Sequence, residues 1–329
     1  MAFVIRILGA NPYQFRTVPA CVLRRDAVVA LAQTSVTAAL WGTSFPVISV
    51  AIKGGLDPSV FVFLRFALAA PLMLVITVSL GRDIASLLRD RAVWVVAFFN
   101  AVGFLCQFVG QQFTSASVAA LLVNLSAVFA AAGGAIFLGE RLGGQKVAGV
   151  ILAFAGAALI ATNGDFAGVA RGELEGECLY LVAALSWGAY IVYAKKKTDE
   201  SHWDPLAGAT SIVSLTALFV LPAAIIAGPS VPVSAYSWEA IVYTAVFNTA
   251  IPYVLYQAAL RYLTATSSAV ILMLEIVVAV AISVAFLGDR FTLFSLAGAA
   301  AVLSSIFLVS RSEVRGKSST TGEMSARGA

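Results

Sequence analysis

Apolar residues run along this chain in stretches of about 20, separated by short polar clusters. Runs of that length match the helix needed to cross a hydrocarbon core of about 30 Å. Backbone polar groups in lipid must be satisfied within their own segment, so each run reads as a helix. Ten spans follow, near residues 27–52, 59–80, 92–112, 115–138 and 144–162, then 174–195, 205–228, 238–260, 264–287 and 291–311. Links as short as Thr114, or Gly288 to Arg290, force neighbouring spans to run antiparallel. The expected fold is an all-α integral membrane protein of ten transmembrane helices.

The pattern repeats. Residues 113–142, FTSASVAALLVNLSAVFAAAGGAIFLGERL, are echoed by residues 262–291, YLTATSSAVILMLEIVVAVAISVAFLGDRF. Trp41-Gly42 recurs as Trp187-Gly188, Asp57-Pro58 as Asp204-Pro205, and Asn100 as Asn248. Five spans per half put the second copy upside down relative to the first. Two inverted five-helix repeats with a site between them are the arrangement of secondary transporters. The division is a 1–26 cytoplasmic arm, a first repeat over 27–162, a periplasmic linker over 163–173, a second repeat over 174–311, and a disordered cytoplasmic tail over 312–329. Residues 1–26 lack a small-residue cleavage site and read as an interfacial arm, or as sequence upstream of the true start, not as a signal peptide.

Charge sets the orientation. Outer loops hold only Lys53, Arg171 and Arg290, and Arg65 lies inside a span; the rest of the 21 Lys and Arg fall on one side. The asymmetry places both termini in the cytoplasm. With 60% hydrophobic and 12% charged residues and a mean hydropathy of +0.93, the chain carries roughly half the charge of a soluble domain. The net charge of +4 then marks the cytoplasmic face, and no nucleic-acid partner is expected.

The passages LGERL and LGDRF, the SAS and TATS openings of the helices before them, and RFALAA at Arg65 to Ala70 resemble the EamA-type members of the drug/metabolite transporter superfamily. The resemblance covers about residues 27–311. It implies ten helices in two inverted repeats in a bacterial inner membrane and export of small metabolites, amino acids first. Family members often carry a proline after Leu-x in the fourth and ninth helices; here those positions are Ala127 and Ile276, which removes an expected kink.

Two ionisable residues fall clearly within spans. Glu275, halfway along the ninth, reads as a proton carrier, an anchor for a substrate ammonium, or a structural carboxyl; its repeat mate is Ser126. Arg65, in the second, could hold a substrate carboxylate, snorkel, or tie down a loop carbonyl. The resemblance shows arginine here in members with different substrates, which favours the structural role.

Polar and aromatic residues mark a midplane cavity. Asn100, Gln107 and Gln111 share one face of the third span, and Asn248, Pro252 and Tyr256 one face of the eighth. With Trp41 and Ser44, Asn124, Trp187 and Tyr190, and Glu275, they give the candidate substrate site: Trp41, Ser44, Asn100, Gln107, Asn124, Trp187, Tyr190, Asn248, Tyr256 and Glu275. Pro46 and Pro252 are candidate hinges. Small residues on the fifth and tenth spans, Gly149, Gly156 and Ala297 to Ala301, read as close-packing faces.

Cys21, Cys106 and Cys178 have no paired spacing and His202 is the single histidine, so neither a metal centre, a cofactor nor a catalytic dyad is expected. RGKSS at Arg315 to Ser319 lacks the upstream glycine of a phosphate-binding loop, which argues against an ATP-driven pump. The expected function is a secondary active or facilitative exporter of small metabolites, most of all amino acids, working by alternating access, with protons as a possible coupling ion. A multidrug or cationic-compound exporter is the alternative. Oligomeric state is left open.

Overall fold

The computed structural model describes the chain apart from residues 1–19, 54, 114–115, 166–173, 202, 229–233, 287–291 and 328–329; within helices it leaves out the side chains of 20–24, 45–46, 49–50, 53, 116–118 and 315–327. The described residues form helices and no strand: α1 (Ala20–Lys53), α2 (Pro58–Ser79), α3 (Ile84–Arg89), α4 (Arg91–Gly110), α5 (Ala116–Val123), α6 (Leu125–Leu138), α7 (Gly144–Thr162), α8 (Leu174–Ser201), α9 (Pro205–Ala227), α10 (Ala235–Ala245), a π-helical turn (Val246–Ala250), α11 (Ile251–Ala259), α12 (Ala265–Leu272), α13 (Leu274–Phe286) and α14 (Leu293–Arg327). Eight helical runs among them are long and apolar enough to cross a membrane. Their outward faces keep large apolar side chains such as Ile226, Phe286 and Leu293 more than 80% exposed, the surface a bilayer would cover.

The repeated Asp-Pro pairs are helix starts. Asp57 Oδ1 accepts from the backbone of Ser59 at 2.7 Å and Val60 at 3.3 Å, and Pro58 occupies a first-turn position that needs no N–H. Asp204 serves Leu206 and Ala207 in the same way at 3.1 and 3.0 Å, ahead of Pro205.

Between the two halves of the chain, α4 packs on α8, α11 on α1, α6 on α8, α13 on α1, α2 on α9 and α7 on α14. The last pair is held by small residues. A Cβ at Gly156 would lie 2.7 Å from the Gly298 carbonyl, and one at Gly298 would lie 2.5 Å from the Gly156 carbonyl. Helices α7 and α14 thus pack on each other within the chain.

Two ends differ from expectation. Helix α1 starts at Ala20, inside the expected arm, and α14 continues to Arg327, where a disordered tail was expected from 312. The reason at the tail's start is local: Glu313 is buried, pairs with Lys146 at 3.2 Å, and accepts from Ser267 Oγ at 2.5 Å and the Thr264 backbone at 3.2 Å.

Candidate functional site

Two of the apolar helical runs, Ala119–Leu138 and Ala265–Phe286, are each broken along their length. One turns at Asn124, between α5 and α6, and the other at Met273, between α12 and α13, 149 residues later. At both breaks the chain tightens to a three-residue bond: Ala127 donates to the Asn124 carbonyl and Ile276 to the Met273 carbonyl, each at 3.3 Å. Asn124 adds a side-chain bond to the Ala120 carbonyl at 2.6 Å. The interruption therefore occurs without prolines at Ala127 and Ile276, whose absence removed one expected source of a kink.

Beside the breaks lies a cavity of about 180 Å³. Seven of the expected site residues line it: Trp41, Ser44, Gln107, Asn124, Trp187, Tyr190 and Glu275. Glu275 sits in the first turn of α13, and no described residue offers its carboxylate a hydrogen bond or ion pair. A helix N-terminus favours negative charge there.

The two Trp-Gly pairs work alike. Trp41 Nε1 donates to the Asn248 carbonyl at 3.0 Å, and Trp187 Nε1 to Gln107 Oε1 at 3.3 Å, each reaching into the other half. The glycines bring a second helix close. A Cβ at Gly42 would lie 2.6 Å from the Glu275 carbonyl, and one at Gly188 would lie 2.7 Å from Phe129 Cβ. Their role in the structure is close approach.

Arg65 is 2% exposed and lines the cavity. Its Nε donates to Thr249 Oγ1 at 2.6 Å and its Nη2 to the Asn248 carbonyl at 2.7 Å, while the guanidinium carbon lies 5.1 Å from the Phe104 ring centre and 5.6 Å from that of Phe66. The Asn248 carbonyl, which also accepts from Trp41, lacks its helical donor because Pro252, four residues on, has no N–H. The π-helical turn over Val246–Ala250, a feature common at functional sites, sits at the same place. Pro252 is thus at a real irregularity; the Pro46 side chain lies outside those described.

Three expected residues stand behind the cavity wall. Asn100 is fully buried, donates to Thr216 Oγ1 at 2.9 Å and accepts from the Tyr253 hydroxyl at 2.8 Å. Asn248 Nδ2 is spent on the Leu40 carbonyl and on Thr43 Oγ1 at 3.0 Å. Tyr256 shares a hydrogen bond with Ser268 at 3.2 Å and stacks on Tyr190, ring centres 6.3 Å apart. Sequence reasoning missed Tyr180, which also lines the cavity; its seven-residue spacing from Trp187 on α8 was the available signal.

Away from the cavity, polar contacts gather at one end of the bundle. Glu140, the acid of LGERL, accepts from the backbone of Ala265 at 2.5 Å and Thr266 at 3.2 Å and from Thr266 Oγ1 at 2.7 Å, capping α12. Lys195 Nζ donates to the Leu260 carbonyl at 2.9 Å, and Arg261 Nη2 to the Trp203 carbonyl at 2.6 Å. Burial holds the Arg261 guanidinium below its ordinary pKa, against the opposing pull of Tyr262 and Asp204. The corresponding LGDRF passage falls largely outside the described residues.

Comparison with known proteins agrees with this architecture. The EamA-like transporter family model matches residues 30–162 and again 174–311. A protein of Archaeoglobus fulgidus named "Uncharacterized transporter" is 30% identical over 243 residues, 72% of this chain and 81% of the relative. A "Probable terminal-alkyne amino-acid exporter" of Streptantibioticus cattleyicolor is 29% identical over 309 residues, 90% of this chain and 98% of the relative. A crystal structure covering 87% of this chain and 98% of its own superposes with a TM-score of 0.74 at 17% identity, which shows a shared fold.

Proposed function

The chain belongs to the EamA-like transporter family, a multi-pass membrane protein acting on small molecules, and from that premise we propose that it exports amino acids by alternating access between two inverted five-helix repeats. Adding α1 and the α10–α11 run to the eight apolar helices gives ten spans. The packing pairs support the symmetry. Exchanging spans one to five with six to ten turns the α4–α8 contact into α1–α11 and α6–α8 into α1–α13, and returns α2–α9 and α7–α14 to themselves.

The observation that carries the reading is the cavity between two broken helices, one from each half, with an unpartnered carboxylate at its wall. Discontinuous helices meeting at the midplane are how secondary transporters build substrate sites. A volume of about 180 Å³ falls below the roughly 300–1,000 Å³ of pockets that take drug-sized ligands, which favours a small metabolite over a bulky drug. The amino-acid exporter among the relatives points the same way.

With both termini in the cytoplasm of a bacterial inner membrane, the cavity lies toward the outer ends of α4 and α8, at Gln111 and Tyr180. The ties at Glu140, Lys146 and Lys195 then close the cytoplasmic side. This is an outward-facing state, and rocking of the halves, with Pro46 and Pro252 as hinges, opens the other side. Glu275 is the proposed proton-coupling group.

An unpaired Glu275 also suits a cationic-compound exporter. Thermal unfolding of the purified protein separates the two. A ligand that binds only the folded state raises the melting midpoint. Millimolar neutral amino acids raise it if the reading holds. A rise with lipophilic quaternary amines and none with any amino acid would transfer the protein to the cationic class.

A further inference from the structure

Resting on the amino-acid reading, we propose that the cavity recognises its substrate by both charged ends: Arg65 takes the carboxylate and Glu275 the ammonium, so that a free zwitterion is required. The argument starts from what Arg65 lacks. Its two hydrogen bonds go to neutral acceptors, Thr249 Oγ1 and the Asn248 carbonyl, and its flanks are the Phe66 and Phe104 rings. Among the described residues it has no ion pair, and its Nη1 has no acceptor, while the side chain lines the cavity at 2% exposure. Tying down a carbonyl accounts for the two bonds and leaves the charge unexplained. A buried cation without a counter-ion is costly, and a guanidinium with a free edge fits a carboxylate.

Glu275 presents the opposite deficit to the same space. Its carboxylate lines the cavity without a hydrogen-bond or ionic partner among the described residues, and it forms no ion pair with Arg65. The cavity thus holds a guanidinium and a carboxyl group that do not pair with each other. A simple amine would neutralise Glu275 and strand Arg65; a simple acid would do the reverse. A molecule carrying both charges satisfies both walls. The remaining lining includes Trp41, Phe104, Trp187 and Tyr190, which suit an apolar or aromatic side chain.

Competition in proteoliposomes carrying the full chain tests this. Uptake of labelled L-leucine and L-phenylalanine is measured against each free amino acid, its amide and its N-acetyl form. The free forms should compete at least tenfold better than either blocked form. In Arg65→Gln the preference over the amide should collapse toward one, and in Glu275→Gln the preference over the N-acetyl form should collapse. Equal competition by blocked forms in the wild type, which needs no variant, would overturn the proposal and leave amino-acid export standing. So would an Arg65→Gln protein that slows all substrates equally and keeps its preference, since that is the signature of a structural arginine. Absence of transport for every amino acid would remove both this proposal and the function on which it rests.

Discussion

Arg65 Nη2 donates to the backbone carbonyl of Asn248 at 2.7 Å, a carbonyl that Pro252 leaves without its usual helical donor. One proline thereby creates the acceptor that holds the cavity's cation. Replacing Pro252 with alanine restores an N–H that competes for that carbonyl. The expected protein is at least as stable as the wild type but transports about fivefold more slowly, the kinetic equivalent of roughly 1 kcal/mol for one hydrogen bond. An unchanged rate in vesicles would show that this carbonyl matters neither to Arg65 nor to hinge motion.

Gly42 and Gly188 are close-packing positions. Alanine at Gly42 would press on the Glu275 carbonyl and Val278, and alanine at Gly188 on Phe129. Overpacking of this kind costs about 1–3 kcal/mol. Thermal unfolding in detergent should show a lowered midpoint for each variant, and a midpoint equal to the wild type would mean that the helix contacts are looser than described.

Asn100 and Gln107 occupy one face of α4 yet have different jobs. Asn100 is bonded to Thr216 and Tyr253 behind the cavity, whereas Gln107 lines it and holds Trp187. Asn100→Ala should lose about 1–3 kcal/mol of stability by leaving buried partners unsatisfied, with little change in KM. Gln107→Ala should raise KM severalfold at nearly normal stability. Concentration-dependent uptake alongside melting curves checks both, and the reverse pattern would move Asn100 into the binding site.

Glu140 caps α12 with three accepted hydrogen bonds. Glu140→Ala frees that helix end at the closed face of the bundle. Amide hydrogen exchange at Ala265 and Thr266 should accelerate by about tenfold or more, given the roughly 1.5–3 kcal/mol typical of hydrogen bonds to charged groups. Protection equal to the wild type would show that the closed end does not depend on this carboxylate.

Hydropathy made the helices legible, because a 20-residue apolar run in lipid has few other solutions. Family membership was legible in paired short motifs such as LGERL and LGDRF. The helix breaks were not, because Asn124 and Met273 interrupt their helices without the proline that usually announces a kink. Periodicity gathers polar residues onto one face, but it does not distinguish a face that meets a void from one that meets another helix. Hence Gln107 lines the cavity while Asn100, two turns away on the same face, is sealed behind it. Arg65 read as structural because a single residue type at one position gives no sign of which partners it lacks; only its burial beside the cavity exposes the missing counter-charge.

Counterflow tests the central claim most directly. Proteoliposomes preloaded with a mixture of unlabelled amino acids are presented with labelled amino acids one at a time. Protein-dependent, transient accumulation of a subset with apolar or aromatic side chains, competed by the same unlabelled solutes, is the predicted result. No accumulation across the panel, from protein shown to be folded and inserted, would contradict the account.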